Sequence, residues 1–445
     1  MSDQSPVDQS PVDQSKADLR AAWDDLIAHL QAARDAVDTP ELHAPPATVR
    51  GLAEGYRYLV GFAFSAFERA FAEDPDRPTF RRAIQPMDKA TIDNADALYL
   101  SAPVDGSRSY RITGRFAGQA PQYLIVEAHD SYAGDSGSIM ELMPGGRTIT
   151  GVLDTADLEV DDDRFEILVA PERPDGHLGN FLCSRELRED GTEVISTYVI
   201  VRVLFHDWEH EVAPELTITA LDPATAAPDP LDPAAASARL RRAGVIAENQ
   251  MKFWTQFYDF VLGAYGEGNP DAPAYQPRND LNAPTNAQLS TGGGQSTNVY
   301  SGGLFVLDPD EALIIEMTTP VTPDYQGMHL SNLWGESLDY AHHVVSLNGF
   351  QEERDADGVT RFVVAHNDPG VPNWLDTTGQ REGFVTFRWT YHQSPEQMPV
   401  HKATKVRLEE VRKHLPDSTR WVTSEERAAQ VAIRREHVQR RYRQH

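Results

Sequence analysis

The apolar positions of the first 90 residues recur every three or four residues, which is the spacing of one helix face. They predict one helix that begins near Ala17 and ends before Pro40, and a second that follows Pro46 and runs to about Ala72. Residues 16–90 are therefore predicted to form a helical layer. The second helix is rich in aromatic side chains that we expect to pack in a core: Tyr58, Phe62, Phe64, Phe67 and Phe71.

The segment before this layer contains the unit Asp-Gln-Ser-Pro-Val twice and then begins it again. A short, polar, proline-containing repeat cannot bury enough apolar surface to offset the entropy that it would lose on ordering. Residues 1–15 are therefore predicted to be a disordered arm.

From about Ala97 the pattern changes to the β-rich, alternating runs that indicate strands. The predicted strands form a first β region (110–114, 123–126, 165–169, 197–205) and a second (303–307, 312–317, 327–334, 360–365, 383–391). Asp-Gly pairs, which are typical of hairpin turns, occur at Asp105-Gly106, Asp190-Gly191 and Asp357-Gly358. No long helical pattern interrupts either region, which favours antiparallel sandwiches or barrels.

The stretch 221–300 separates the two β regions. It combines a linker rich in Pro, Ala and Asp, a helix from about Ala234 to Tyr265, and a long irregular loop. The predicted division is thus 91–220 for the first sandwich, 301–412 for the second and 413–445 for a C-terminal helix.

The C-terminal helix is predicted to begin at a capping box that starts at Thr423 and ends at Glu426. It is rich in arginine, with Arg427, Arg434, Arg435, Arg440, Arg441 and Arg443. A basic helix can bind a membrane or a nucleic acid. In so acidic a chain we instead expect it to dock on carboxylates of its own or a sister subunit, which makes a homo-oligomer a candidate.

Composition narrows the function classes. Of 445 residues, 68 are acidic and 40 basic, and the resulting formal charge of −28 disfavours nucleic acids and anionic lipid surfaces as partners. The single cysteine, Cys183, excludes an intramolecular disulfide framework. No apolar run is long enough for a membrane span, no signal peptide is recognisable, and no cofactor motif appears. The expected location is the cytoplasm.

Three short motifs suggest ion binding, but each has a simpler interpretation. His206, Glu209 and His210 match the H-x-x-E-H zinc pattern, yet they follow a predicted strand, where four residues span about 13 Å. The Gly-rich stretch 291–296 lacks the lysine of a phosphate-binding loop, so it is predicted to be a loop or lid. The acidic residues of 154–163 alternate like a solvated strand rather than a calcium loop. We therefore predict no metal site.

The second β region holds the densest group of chemically capable side chains. Histidine transfers protons near neutral pH and a carboxylate can orient it, which makes a set of four residues the catalytic candidates: Asp339, His343, His366 and Asp376. Side chains that could surround a substrate are Trp334, Tyr340, Asn348 and Trp374. The alternative is that the polar groups stabilise turns and the rings fill a core.

The stretches "SLDYAHHVVSLNG" and "DPGVPNWLDTTG" of the second β region resemble the bacterial domain-of-unknown-function family 1214. Upstream "EGYRYL", "YRITG" and "VRVLFHDWEHE" resemble longer members, so the resemblance extends over most of the chain after about residue 50. It implies two jelly-roll-like antiparallel β sandwiches with added helices. The family has no generally established activity, so the resemblance implies no catalytic residue.

Two functions are therefore expected. The first is a cofactor-independent enzyme, a lyase or hydrolase, that acts on a bulky apolar small molecule such as a steroid, lipid or aromatic intermediate. The alternative is a non-catalytic small-molecule-binding or scaffold protein with the same pocket.

Overall fold

A computed structural model describes residues 10–38, 48–143, 146–222, 227–228, 230–262, 276–286 and 297–442. The helices are α1 (Pro11–Asp38), α2 (Val49–Ala72), α3 (Pro233–Leu262) and α4 (Ser424–Arg441). The strands are β1 (Arg81–Ile84), β2 (Ala97–Pro103), β3 (Tyr110–Arg115), β4 (Tyr123–His129), β5 (Ile149–Asp154), β6 (Arg164–Ala170), β7 (Asn180–Cys183), β8 (Arg185–Leu187), β9 (Glu193–Ile195), β10 (Tyr198–Leu204), β11 (Glu215–Ala220), β12 (Thr285–Asn286), β13 (Val299–Val306), β14 (Glu311–Thr318), β15 (Tyr325–Ser331), β16 (Ser346–Asn348), β17 (Thr360–Ala365), β18 (Trp374–Asp376), β19 (Glu382–Thr390) and β20 (Val400–Arg407). The mainly β class is thus confirmed, and every predicted strand is present.

Helix α1 begins at Pro11, inside the segment predicted to be a disordered arm. The Ser10 hydroxyl accepts a hydrogen bond from the backbone N–H of Asp13 at 3.2 Å, as an N-cap does, and proline suits the first helical position. The arm prediction is therefore wrong for residues 11–15, and its residues 1–9 lie outside the described part of the chain.

Only some of the aromatic side chains of α2 are buried. Tyr58 and Phe62 are buried, but Phe64 is 44% exposed, and Phe67 and Phe71 are each 36% exposed. The rings are spread around the helix, and only one face of it can pack against α3. The prediction that all five rings are core was therefore too broad.

Two five-stranded and two four-stranded sheets form the body of the protein. We call the sheet with the order β1-β2-β10-β4-β5 the first inner sheet, and the sheet with the order β11-β3-β6-β7 the first outer sheet. The second inner sheet has the order β12-β13-β19-β15-β16 and the second outer sheet β18-β17-β14-β20. Pairing is antiparallel except between β6 and β7 and between β17 and β18.

The two halves repeat one topology. If β1–β7 are matched in order with β12–β18, and β10 and β11 with β19 and β20, the two inner and the two outer sheets have identical strand orders. The registers also correspond, since Arg202 lies opposite Tyr99, and Arg388 opposite Tyr300. Equivalent strands of the two halves thus present the same pair of residue types.

The Asp-Gly turns do not all close hairpins. Asp190-Gly191 joins the paired strands β8 and β9, as predicted. Asp105-Gly106 instead joins β2 to β3, which belong to different sheets, so the hairpin prediction is wrong there. A turn dipeptide reverses the chain locally, but side-chain packing decides which strands pair.

Each inner sheet has two covered faces. Val201 and Val203 contribute to the large core shared with the outer sheets, while Arg202 between them is on the opposite face. Phe387 and Arg388 alternate in the same way on β19. The second face of each inner sheet is directed toward the other inner sheet and toward α2 and α3.

Helix α4 docks on its own chain, and its capping box is present. Arg434 and Arg441 are each 1% exposed and donate hydrogen bonds to backbone carbonyl groups. Their guanidinium carbons lie 4.8 and 4.7 Å from the ring centroid of Trp208. Docking on a carboxylate, as predicted, occurs for Arg427, whose Nε is 2.9 Å from Asp368 Oδ2.

In the described ranges, no helix combines the length and the apolar character that crossing a membrane requires.

Candidate functional site

The structure brings one predicted catalytic pair together. His343 Nδ1 lies 2.7 Å from Asp376 Oδ2, and the other carboxylate oxygen accepts the backbone N–H of Thr378 at 2.7 Å. The His343 side chain is 42% exposed. The pair is thus well oriented, but it lies at the protein surface.

The other two predicted catalytic residues are neighbours of this pair, but their side chains have other partners. His366 Nδ1 faces the Thr377 hydroxyl at 2.8 Å, and its Nε2 faces the carbonyl of Leu307 at 3.1 Å. Both ring nitrogens are therefore engaged. Asp339 is half exposed and pairs with the neighbouring His342 at 2.9 Å, and this contact lowers the carboxyl pKa against the opposing effect of burial. Of the four predicted residues, only His343 and Asp376 contact each other through their side chains.

The predicted substrate-binding residues are packing residues. Trp334 is buried and donates to the carbonyl of Gly51 at 2.7 Å, which ties the turn after β15 to α2. Tyr340, Asn348 and Trp374 are also buried. Asn348 donates to Asp96 and to two backbone carbonyl groups. Their rings and amide groups make contacts within the core.

The H-x-x-E-H residues do not converge either. His206 faces the ring of Phe350 at a centroid distance of 5.5 Å, and His210 bonds to Asp207 at 2.8 Å. Over the described residues, no group of three or more potential metal-ligating side chains is placed to share an ion. The Gly-rich stretch 291–296 lies outside the described residues.

A cavity of about 260 Å³ lies between the two inner sheets and the helices α2 and α3. This volume is close to the lower end of small-molecule sites. A larger hollow of about 900 Å³ runs along α1, but none of its lining residues is buried, so it is a surface groove. The inter-sheet cavity is the better candidate site.

Much of the cavity wall is apolar. Helix α3 contributes Phe253, Trp254 and Phe257, and helix α2 contributes Phe62. The Trp254 indole N–H donates to Gln250 Oε1 at 3.1 Å, which fixes the ring at the wall. Helical spacing places these rings on one side of α3, so they form a continuous aromatic surface.

Three arginines line the opposite part of the cavity: Arg147, Arg202 and Arg388. Nη1 of Arg147 and Nε of Arg202 and Arg388 are buried and have no hydrogen-bond partner within the described chain. Buried donors normally have partners, so these three donors are available to a polar group of a ligand in the cavity.

A buried pair behind two of the arginines holds them in place. Glu127 Oε2 lies 3.7 Å from Arg202 Nη2 and 3.3 Å from His129 Nε2, and His129 Nδ1 lies 2.5 Å from Arg147 Nη2. Burial, followed by the charge of Arg147, lowers the His129 pKa to about 4. Burial alone would raise the Glu127 pKa, but Arg202 and His129 outweigh it and lower that pKa. Glu127 is therefore a carboxylate and His129 a neutral ring at pH 7.

Arg388 is held through a strained backbone. Its Nη2 donates to the carbonyl oxygen of Ile92. Thr91 and Ile92 have φ angles of 70° and 53°, a left-handed conformation that β-branched residues rarely adopt. Such strain is often found at functional sites, where the surrounding structure enforces it.

Asp88 is the one acidic side chain among the described lining residues. Both of its carboxylate oxygens are buried without a hydrogen-bond partner in that part of the chain. Burial raises the pKa of Asp88 to about 8, although Arg81 acts in the opposite direction. The group is therefore mainly a neutral carboxylic acid at pH 7, able to donate a proton or a hydrogen bond.

Sequence reasoning did not identify this cavity. Arg202 and Arg388 alternate with apolar residues on their strands, as the solvated face of an amphipathic strand also does. One signal was available: Val-Arg-Val at 201–203 and Phe-Arg-Trp at 387–389 occupy equivalent places in the two β regions.

Comparisons with known proteins add a fold but no activity. No protein-family profile matches the chain, and no curated protein matches it. A solved structure of an uncharacterised protein from Burkholderia cenocepacia aligns with a TM-score of 0.72 at 28% identity, over 88% of this chain and 99% of that one. The VPA0106 protein from Vibrio parahaemolyticus aligns with a TM-score of 0.41 at 12% identity, over 84% of this chain and 100% of that one. The first of these agrees with a mainly β architecture with a few helices.

Proposed function

We propose that the protein binds a largely apolar small molecule in the inter-sheet cavity. The observation that carries this proposal is the combination of an aromatic wall with buried polar atoms that lack protein partners. Ligand sites have this composition, since apolar walls supply affinity and a few polar groups fix orientation. Steroids, lipids and aromatic intermediates are compounds of the expected kind.

A thermal-shift screen of apolar compounds tests the proposal, because a ligand that binds only the folded state raises the melting temperature. Thr386 lines the cavity, so Thr386→Phe should fill part of it and remove the shift. Thr219→Phe, on the exposed side of β11, is the matched control and should keep it. A compound that stabilises the wild type and Thr386→Phe equally would place binding elsewhere.

A second candidate is a cofactor-independent lyase or hydrolase that uses the same cavity. Asp88 favours it, because a carboxyl group with a pKa of about 8 can exchange protons near neutral pH. The test is turnover of a compound found by the screen: Asp88→Asn should bind it and lose turnover by about 10²- to 10⁴-fold. Full turnover in that variant would exclude Asp88 as the catalytic group, and only the binding function would remain supported.

Five expectations from the sequence remain proposals. Each inner sheet and its outer sheet are proposed to form a β sandwich, supported by the core that they share. The jelly-roll description and membership of family 1214 remain predictions carried by the resemblance. A cytoplasmic location and assembly through α4 also remain predictions.

A further inference from the structure

The cavity carries positive charge in addition to its apolar wall. Its described lining includes three guanidinium groups and one carboxyl group. Glu127, behind the wall, is 0% exposed and pairs with Arg202 and His129, so it compensates one positive charge from outside the cavity. At least one guanidinium charge therefore remains without a facing carboxylate in the lining.

Two of the three unsatisfied donors belong to corresponding places in the two halves. Arg202 and Arg388 are the matching residues of β10 and β19, and each lies opposite a tyrosine that also lines the cavity, Tyr99 or Tyr300. The repeat therefore brings one arginine from each inner sheet to the same cavity. Arg147 adds a third, 5% exposed, with a free Nη1.

We infer that the cavity takes an organic carboxylate, with its carboxylate group between Arg202, Arg388 and Arg147 and its apolar body against the rings of α3. This inference rests on the proposed function and names the class of its ligand. Arginine suits a carboxylate because its planar N–H groups match two oxygens. Three free N–H donors fit the lone pairs of one carboxylate group.

The one acidic residue of the described lining agrees with this orientation. Asp88 is the group that would repel an anion if it were ionised, and its burial keeps it protonated near neutral pH. A neutral carboxyl group can instead donate a hydrogen bond to the bound carboxylate.

Calorimetric titration of the full chain with naphthoate, naphthamide and naphthyl phosphate tests the inference at pH 7. The three probes share an apolar body and differ in head group. Naphthoate should bind about tenfold or more tightly than naphthamide, because hydrogen bonds to charged groups exceed neutral ones. Arg388→Gln and Arg202→Gln should remove most of this difference, and Arg388→Lys should restore only part of it. Arg111→Gln, exposed on β3, is the control and should leave it intact.

The outcomes separate the two proposals. Equal binding of naphthoate and naphthamide would overturn the carboxylate assignment and leave the apolar cavity standing. Preferred binding of naphthyl phosphate would also overturn it, in favour of a phosphate ester. If none of the three probes binds at millimolar concentration, the carboxylate assignment is overturned. The thermal-shift screen then decides separately whether the cavity binds any apolar compound. The wild-type comparison needs no variant, so a misfolded variant does not affect it.

Discussion

Asp88 shows how one residue can connect the cavity to the stability of the whole protein. Its folded pKa of about 8 exceeds the ordinary unfolded value of about 3.9, so the folded state holds the proton more tightly. The contribution of Asp88 to the free energy of unfolding is fully present below about pH 4 and is lost as the pH rises to about 8.

Asp88→Asn should therefore flatten the pH dependence of stability. Relative to the wild type, the variant should gain free energy of unfolding between about pH 4 and 8, by at most about 1.4 kcal/mol per pH unit. Denaturant unfolding at a series of pH values measures this. Asp175→Asn, at an exposed position, is the control. A wild-type-to-variant difference that stays constant with pH would show that Asp88 titrates normally.

His343→Gln compares the surface pair with the cavity. Because the His343 side chain is 42% exposed, loss of its contact with Asp376 should cost only about 0–1 kcal/mol. Binding in the cavity should be unchanged, since neither residue lines it. Melting curves and titration of a cavity ligand check both expectations. If a substrate is found and turnover falls 10²-fold or more with binding intact, the pair is catalytic as the sequence suggested.

At the scale of elements, α4 is attached by buried cations rather than by the surface ion pairs that its composition suggests. Arg434 contacts Ser346 and the Trp208 ring and lies near the buried Asp96, whose charge favours the guanidinium. Burial acts the other way and lowers the Arg434 pKa to about 10. With a pKa of about 10 the guanidinium is still charged at pH 7, so the contact of α4 with the core includes a buried cation.

Arg434→Gln should destabilise the protein by about 2–4 kcal/mol, because it removes a buried cation and leaves the buried oxygens of Ser346 without their donor. The neighbouring Arg435 is exposed on the same helix, and Arg435→Gln should change stability by no more than about 0.5 kcal/mol. Urea unfolding of the two variants measures the difference. Equal effects would mean that α4 is held by its overall charge.

At the scale of the molecule, the two halves share one core. The largest buried cluster takes side chains from all four large sheets, and residues of α4 pack against it. Two repeated units could in principle fold separately, but here each would expose part of that cluster.

Calorimetric melting of the full chain should therefore show one transition, with a calorimetric enthalpy equal to the van't Hoff enthalpy. Two resolved transitions would indicate that the halves unfold independently, and that the cavity between them could open without loss of either half.

The sequence predicted those features of the fold that are determined by a few neighbouring residues. The capping box at Thr423 and the strand at 360–365 agree with the prediction, because their signals lie within a few neighbouring residues. The Asp105-Gly106 turn also has a local cause, but the strands that it joins pair with distant ones. Strand order was therefore beyond the reach of local patterns.

For the site, the sequence identified residue types and one real contact. His343 and Asp376 meet as predicted, since the two segments belong to one β region. Trp334 and Asn348 were candidates because they are chemically versatile, but the same hydrogen-bonding capacity serves to join core elements.

The sequence by itself determined which side chains alternate on each strand, that four long helices are present, and that the chain is acidic and mainly β. Only the tertiary structure decided what the polar face of each inner sheet meets. Arg202 and Arg388 would show the same alternation if that face were solvated. The packing of one inner sheet toward the other partly buries them and places both around a single cavity. Burial of a strand face depends on partners hundreds of residues away, and no local pattern contains that information.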